Sequence, residues 1–261
     1  MTIVKHEFKR GKLSLFIWTG AIAFMLAVSI FLYPEMRSQI DEINEMFSSM
    51  GSFSAAFGMD KISFGSVPGY YAVECGNVLG LGGAFFAALC AVGILSKEEK
   101  DKTAEFLFAH PVGRVQIITE KLIAVFVQIA ALNIVVCALS AISITAIGEQ
   151  VPWKEFGLLH LAYLLLQLEI ASIFFGISAF LRKGSIGIGL GLAAVMYFLN
   201  IIANITESAE FLNYITPFGY CEGSNIVADG KLDTVSVAIG MVLGIAGIVA
   251  AYLKYSKKDI N

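Results

Sequence analysis

The sequence predicts an all-α integral membrane protein with six transmembrane helices, and three observations carry that prediction. Of the 261 residues 57% are hydrophobic and only 15% charged, well below the roughly one quarter charged in soluble domains. Mean hydropathy is +0.76. Six nearly uncharged segments, residues 13–33, 72–95, 122–147, 156–181, 185–206 and 234–253, are each long enough to cross about 30 Å of hydrocarbon. Of the 18 Lys and Arg, only Arg37, Lys61, Lys154 and Lys231 fall on the side of that map opposite the termini. Basic loops stay inside, so both termini are expected in the cytoplasm of a multi-pass cell-membrane protein. The net charge of −3 carries no information here, because the signal is in the distribution.

Residues 1–12 are basic with Ile3, Val4 and Phe8 between, which reads as an interfacial elbow helix on the membrane before the first span. Residues 34–71 form an outer helix and loop. Met36, Ile40, Ile43, Phe47 and Met50 recur at spacings of four and three, and glycines, serines and Pro68 follow. Residues 96–114 are the densest run of charge. They begin with a Ser96/Glu99 capping box and acidic Glu98, Glu99 and Asp101 in the first turn, and they are expected to stop near Pro111 as a short cytosolic helix between spans two and three. Residues 207–233 hold Phe211, Leu212, Tyr214, Ile215, Phe218 and Tyr220, too apolar for a solvated loop. A partly re-entrant outer segment before span six is expected.

Small residues recur within the spans. Gly76, Gly80 and Ala84 share a face of the second; Gly187 and Gly191 open the fifth; Gly240 and Gly244 mark the sixth. Such pairs let helix backbones approach, within one chain or, for Gly187 and Gly191, across a dimer seam. Glu169 is the one acidic residue well inside a span. A buried carboxylate there costs roughly 2.5–3.5 kcal/mol on an insertion scale, so it should face a cavity or a partner. Asn200 and Asn204, four apart on the fifth span, share a face. With Glu169 they are candidates either for a translocation path or for bonds between helices.

No P-loop, HExxH or finger spacing occurs, and no basic tract suits nucleic acid. His6 and His160 have no partner spacing for a metal. Glu98–Glu99 with Phe106 and His110 is faintly similar to prenyl-protein proteases of membranes, but Thr103 stands where their motif needs Arg. No catalytic or metal site is therefore expected. Cys75 and Cys221 fall toward the outside, where a disulfide would be permitted but is not established by spacing.

The charged segment resembles the coupling-helix motif of permease subunits of type-2 ABC exporters. Glu98 and Glu99 supply its acidic start, Thr103, Glu105 and Leu107 its middle, Pro111-Val112-Gly113-Arg114 its end, and Lys121 the downstream lysine. Thr216-Pro217-Phe218-Gly219-Tyr220 is similar to the family's outer Ser-Pro-Phe-x-Tyr. Lys102 replaces the usual Gly, and Gly113 the usual Ser. The resemblance implies a cytosolic ATPase subunit docking on Glu98, Glu99, Lys102, Thr103, Glu105, Phe106, Phe108, His110, Pro111 and Arg114. It also implies a second permease subunit, as a homo- or heterodimer, with ATP and Mg bound by the ATPase and no cofactor on this chain. Two other readings stay open at this point: an ion-coupled secondary carrier using Glu169, and a sensor or assembly protein that keeps the architecture without transport.

Overall fold

A computed structural model describes residues 2–56, 59, 63–101, 112–181 and 186–257, and among them there is no strand. Helix α1 (Thr2–Ser38) opens the chain. At about 1.5 Å per residue it is on the order of 55 Å long, far more than the hydrocarbon requires, so its ends project beyond the apolar stretch 13–33. Residues 2–12 therefore do not form the separate elbow expected from the sequence; they continue α1 without a break. Their N-terminal amides are satisfied from another helix: Glu120 Oε2 accepts from the backbone N–H groups of Ile3 and Val4 at 2.9 and 3.4 Å. Thr19, Ile22, Ala23, Leu26, Ile30 and Tyr33 form the buried stripe of α1, while Phe16, Ile17, Phe24 and Phe31 face outward as lipid-facing residues should.

Two short helices, α2 (Ile40–Ser49) and α3 (Ser52–Ala56), follow. Ile40 and Met36 pack on a satellite core of Tyr33, Phe64, Tyr70 and Val73, so this amphipathic stretch lies against its own chain. The second span comprises α4 (Val67–Cys75), a π-helical turn at Gly76–Gly80 and α5 (Leu81–Ala91). Ser66 caps α4 by accepting from the Gly69 N–H. After α6 (Lys97–Lys100) come the third, fourth and fifth spans, α7 (Arg114–Ala146), α8 (Trp153–Phe180) and α9 (Ile186–Ile205). The segment expected to be re-entrant is two 3-10 turns, Glu207–Tyr214 and Gly219–Cys221, and α10 (Gly223–Asp229), which stops at Gly230 in the left-handed conformation (φ +61°). The sixth span is α11 (Thr234–Ser256), capped by Asp233 accepting from the Val235 N–H.

Polar contacts fix the direction of the spans. Lys97 bonds Glu7, and Arg114 bonds the Ser256 carbonyl, so both ends of the described chain lie at one end of the bundle, the terminal end. Arg37 pairs with Glu149 at the other, far end. Cys75 and Cys221 are both buried free thiols. The pairing that their positions would have permitted is not made, because Cys221 Sγ instead donates to the Ala162 carbonyl at 3.3 Å.

Helix α8 occupies the centre. Its buried residues, from Phe156 to Ala179, run right round the helix, and it touches α4, α5, α7, α10 and α11. Helices in a membrane gain nothing by hiding apolar surface from lipid, so close approach must supply the attraction. Gly240, Gly244 and Gly247 of α11 and Gly176 of α8 provide it. A Cβ on Gly176 would stand 2.6 Å from the Gly247 carbonyl oxygen, and one on Gly247 2.6 Å from that of Ser172. Against rigid backbone neither has room to give. Gly176→Ala is therefore expected to lower the unfolding midpoint in detergent by an amount worth about 1–3 kcal/mol. Gly20→Ala, where nothing lies within 4 Å, should leave the midpoint unchanged or slightly raised.

Candidate functional site

The densest group of buried charge sits at the terminal end, where the second span hands over to α6. Lys121, in the first turns of α7, is 1% exposed. A lysine so buried must be paired, since an isolated ammonium in an apolar setting would discharge. Its Nζ donates to the Ile94 carbonyl and to Glu98 Oε1, each at 2.5 Å, and lies 3.7 Å from Glu7 Oε1. Glu7 in turn accepts from Lys97 at 2.8 Å. One lysine thus joins the end of the second span, α6, α7 and α1. Burial pushes the Glu7 carboxyl up, but the Lys121 and Lys97 ammonium groups outweigh it and hold the group below the ordinary 4.5. Nearby, the Gln116 amide and the Val4 and Ile3 N–H groups hold Glu120 below 4.5 as well. Arg10 reaches Asp101 at 2.6 Å on the surface beside this node.

Of the residues implicated in partner docking, Glu98 and Glu99 fall in α6 and Arg114 begins α7. Lys102, Thr103, Glu105, Phe106, Phe108, His110 and Pro111 lie outside the described residues. The capping box at the start of α6 does not form. Ser96 is fully buried and makes no N-cap bond; its hydroxyl donates back to the Gly93 carbonyl at 3.4 Å. The physical reason is backbone geometry: the chain enters α6 from a tight turn, with Ser96 at φ −102° and ψ 2° in place of the extended conformation of an N-cap. The Arg114 guanidinium donates to the Ser256 carbonyl at 3.1 Å, and the Thr119 and Tyr252 hydroxyls share a hydrogen bond of 2.7 Å, so the start of α7 is tied to the end of α11.

The three intramembrane candidates are not gathered into one site. Glu169 is buried on α8, accepts from the Tyr220 hydroxyl at 2.8 Å, and lies against Gly240, whose missing side chain leaves it space. Its partners are the segment before the sixth span and α11, a bond between elements. Asn200 donates to Asn213 Oδ1 at 3.3 Å, and Asn204 donates to Glu222 Oε2 at 2.9 Å and to the Ala56 carbonyl at 3.3 Å. The shared face of the two asparagines thus meets residues 213–222. Gly187 and Gly191 are exposed on α9, and nothing lies within 4 Å of a Cβ at Gly191.

Sequence reasoning missed Glu7, Lys97 and Lys121 as a unit, since ion pairs spaced 90 and 23 residues apart leave no local pattern. Lys121 alone had a signal, its place in the coupling motif. It also missed the bond between Asn133 Nδ2 and Gln167 Oε1 (2.7 Å), which bridges α7 and α8. Among the described residues, no three His, Cys, Asp or Glu side chains converge as metal ligands would.

Six apolar helices with paired and glycine-contacted interiors define a polytopic membrane protein with a cluster of buried ion pairs at its terminal end. A family model described as "ABC-2 family transporter protein" matches residues 1–260. The chain belongs to that family and is thus a membrane transport component. No curated protein matches it.

Two measurements probe the node. Lys121→Met leaves Glu98 and Glu7 facing each other without their shared cation, at a cost on the order of 3 kcal/mol; adding Glu98→Gln should recover part of the lost thermal stability. Glu7 and Glu120 both have lowered carboxyl values in the folded chain, so their contribution is complete above the ordinary 4.5 and is lost as pH falls below it through the lowered values. Protection of the Ile3 and Val4 amides against hydrogen exchange, taken relative to the intrinsic rate at each pH, should fall over that acid range, and in Glu120→Ala it should be low already at neutral pH.

Proposed function

We propose that this chain is the membrane-spanning subunit of an ATP-driven exporter in the cell membrane, with both termini and residues 96–114 in the cytoplasm. It would work with a second permease subunit and with separate cytosolic ATPase subunits that bind ATP and Mg. The positive-inside distribution of basic residues supports the orientation. Family membership supports association with an ABC ATPase.

The observation that carries the reading is the Lys121 node. A permease driven by another subunit must convert a push on its surface into movement of its helices. That requires the receiving segment to be fastened to the spans, because a slack loop would absorb the motion. Here Lys121 binds the Ile94 carbonyl at the end of the second span and Glu98 at the start of α6, and Glu7 couples both to α1. A force delivered to residues 98–114 would reach α1, α5 and α7 together, as rigid-body motion. Docking in this reading falls to Glu98, Glu99, Lys102, Thr103, Glu105, Phe106, Phe108, His110, Pro111 and Arg114, with charge setting partner choice and the aromatic residues filling a groove.

The test is a double substitution, Glu105→Ala with Arg114→Ala, compared with Lys121→Met. The first should abolish co-purification of the ATPase, or uncouple its hydrolysis from transport, while membrane insertion stays intact. The second should retain the ATPase yet lower transport per ATP hydrolysed. Normal coupling in both variants would refute the proposal.

A further inference from the structure

The first helix carries a stripe that packing within the chain does not explain. Lys5, Lys9, Lys12, Phe16, Gly20 and Ala23 recur at spacings of four and three, so they stand above one another on one face of α1. Beyond Lys12 that face forms one wall of a groove of about 490 Å³, and Ala131, Val135 and Leu139 of α7 form the other. The groove opens outward, with Phe16, Val135 and Leu139 exposed along it. Gly20 keeps it open, since no side chain or neighbouring helix lies within 4 Å of a Cβ built there. Glycine inside a helix is destabilising relative to alanine. Gly20 has neither a positive φ nor a close backbone contact to require it.

The length and the charge of the stripe together describe an occupant. From Lys12 to Ala23 α1 rises about 16 Å at 1.5 Å per residue, close to half of the roughly 30 Å hydrocarbon core. The groove thus runs through one leaflet, from the interface at the terminal end toward the bilayer middle, which is the course of one acyl chain. At its mouth Lys5, Lys9 and Lys12 are all exposed, held in one row because α1 continues unbroken through residues 2–12. Among the described residues no ion pair involves any of the three. The acidic residues at this end of α1 and α7 are engaged on other faces: Glu7 with Lys97 and Lys121, Glu120 with the Ile3 and Val4 amides. A second copy of the chain suits the stripe poorly. A two-fold axis along the membrane normal would set its lysines against lysines.

We propose that the groove between α1 and α7 seats one anionic phospholipid of the leaflet at the terminal end. One acyl chain lies along Gly20 and Ala131, and the phosphate sits among Lys5, Lys9 and Lys12. Their apolar stems let the ammonium groups reach the headgroup layer, where basic clusters attract anionic lipid. A zwitterionic lipid offers the same chain but adds its own cation to three others. The proposal uses only the membrane placement of the spans. It does not depend on the docking reading, and this chain alone tests it.

The experiment is thermal unfolding of the full chain in a neutral detergent, titrated with phosphatidylglycerol or with phosphatidylcholine of the same acyl chains, alongside native mass spectrometry to count retained lipids. The expected result is a saturable rise in the midpoint at one phosphatidylglycerol per chain, with phosphatidylcholine at least fivefold weaker. Lys9→Gln with Lys12→Gln should weaken the phosphatidylglycerol effect at least fivefold. Gly20→Leu, which fills the groove, should do the same without lowering the lipid-free midpoint, and Lys231→Gln at the far end should change nothing. Should Gly20→Leu fail to fold, Val135→Phe on the opposite wall supplies the comparison. Equal effects of the two lipids would overturn the proposal. So would an effect untouched by the groove-filling variants, which would leave only charge attraction at the surface. Glycerol phosphate acting as strongly as the lipid would also refute it, by making the occupant a free phosphate. Loss of dimers in Gly20→Leu without any lipid effect would refute it by assigning the groove to a second copy.

Discussion

The backbone contact between α8 and α11 is the constraint on which the rest of the structure depends. In a bilayer the apolar surface of a helix is already satisfied by lipid, so a central span surrounded by others needs shape and polar bonds to hold its neighbours. Helix α8 has both. Gly176 and Gly247 let two backbones meet, Gly240 admits the Glu169 carboxyl, and Gly83 admits the Gln167 amide from the second span. Tyr163 fills the spaces left by Gly76 and Gly80 on that same span. The large polar side chains of α8 and the glycines of its neighbours are thus complementary, and the register of α8 with the second span and α11 follows from that match. Moving α8 by one residue would place Glu169, Gln167 and Tyr163 against side chains in place of gaps.

The architecture was legible in the sequence to the extent that it depends on local composition. Six apolar runs of membrane length became six helical spans. The glycine spacing at Gly240 and Gly244 was also legible, and its partner proved to be α8 of the same chain. What could not be read was anything set by contacts far apart in sequence. The basic start of the chain looked like an interfacial elbow. Nothing local reveals that Glu120 would cap it and Glu7 would enter a buried ion cluster, letting α1 run unbroken. The capping box at Ser96 failed because the chain enters α6 from a tight turn and not from an extended residue.

The polar residues within the spans show how far such reading reaches. Glu169 stood out because a carboxylate in an apolar run is expensive, and that cost correctly implied a partner. The partner is Tyr220, whose position inside the protein depends on the 3-10 turns after the fifth span. Asn200 and Asn204 were placed on one face by helical periodicity, and that face does meet one segment, through Asn213 and Glu222. The Tyr163 hydroxyl, unpartnered among the described residues, had no signal at all. A tyrosine in a leucine-rich run is common, and only the π-helical turn opposite it turns that residue into the wall of a small cavity.

The two ends of the molecule are held by different chemistry, and the difference bears on how motion would pass through the proposed exporter. At the terminal end, ion pairs and short hydrogen bonds collect α1, the end of α5, α7 and α11 around Lys121, Arg114 and Tyr252. These four spans would answer a push as one body. Among the described residues the polar ties of α9 lie away from that cluster: Asn200 to Asn213, Asn204 to Glu222 and to the Ala56 carbonyl, and the Tyr197 hydroxyl to Asn77 of the second span. It also packs on the second span, with Gly189 against Val92 at the terminal end. A movement begun at the terminal end would therefore reach α9 by packing, through Val92 against Gly189, and not through the ion pairs. The bonds of α9 to Asn213 and Glu222 at the far end would oppose that movement, so how far α9 follows is set by packing at one end and by hydrogen bonds at the other.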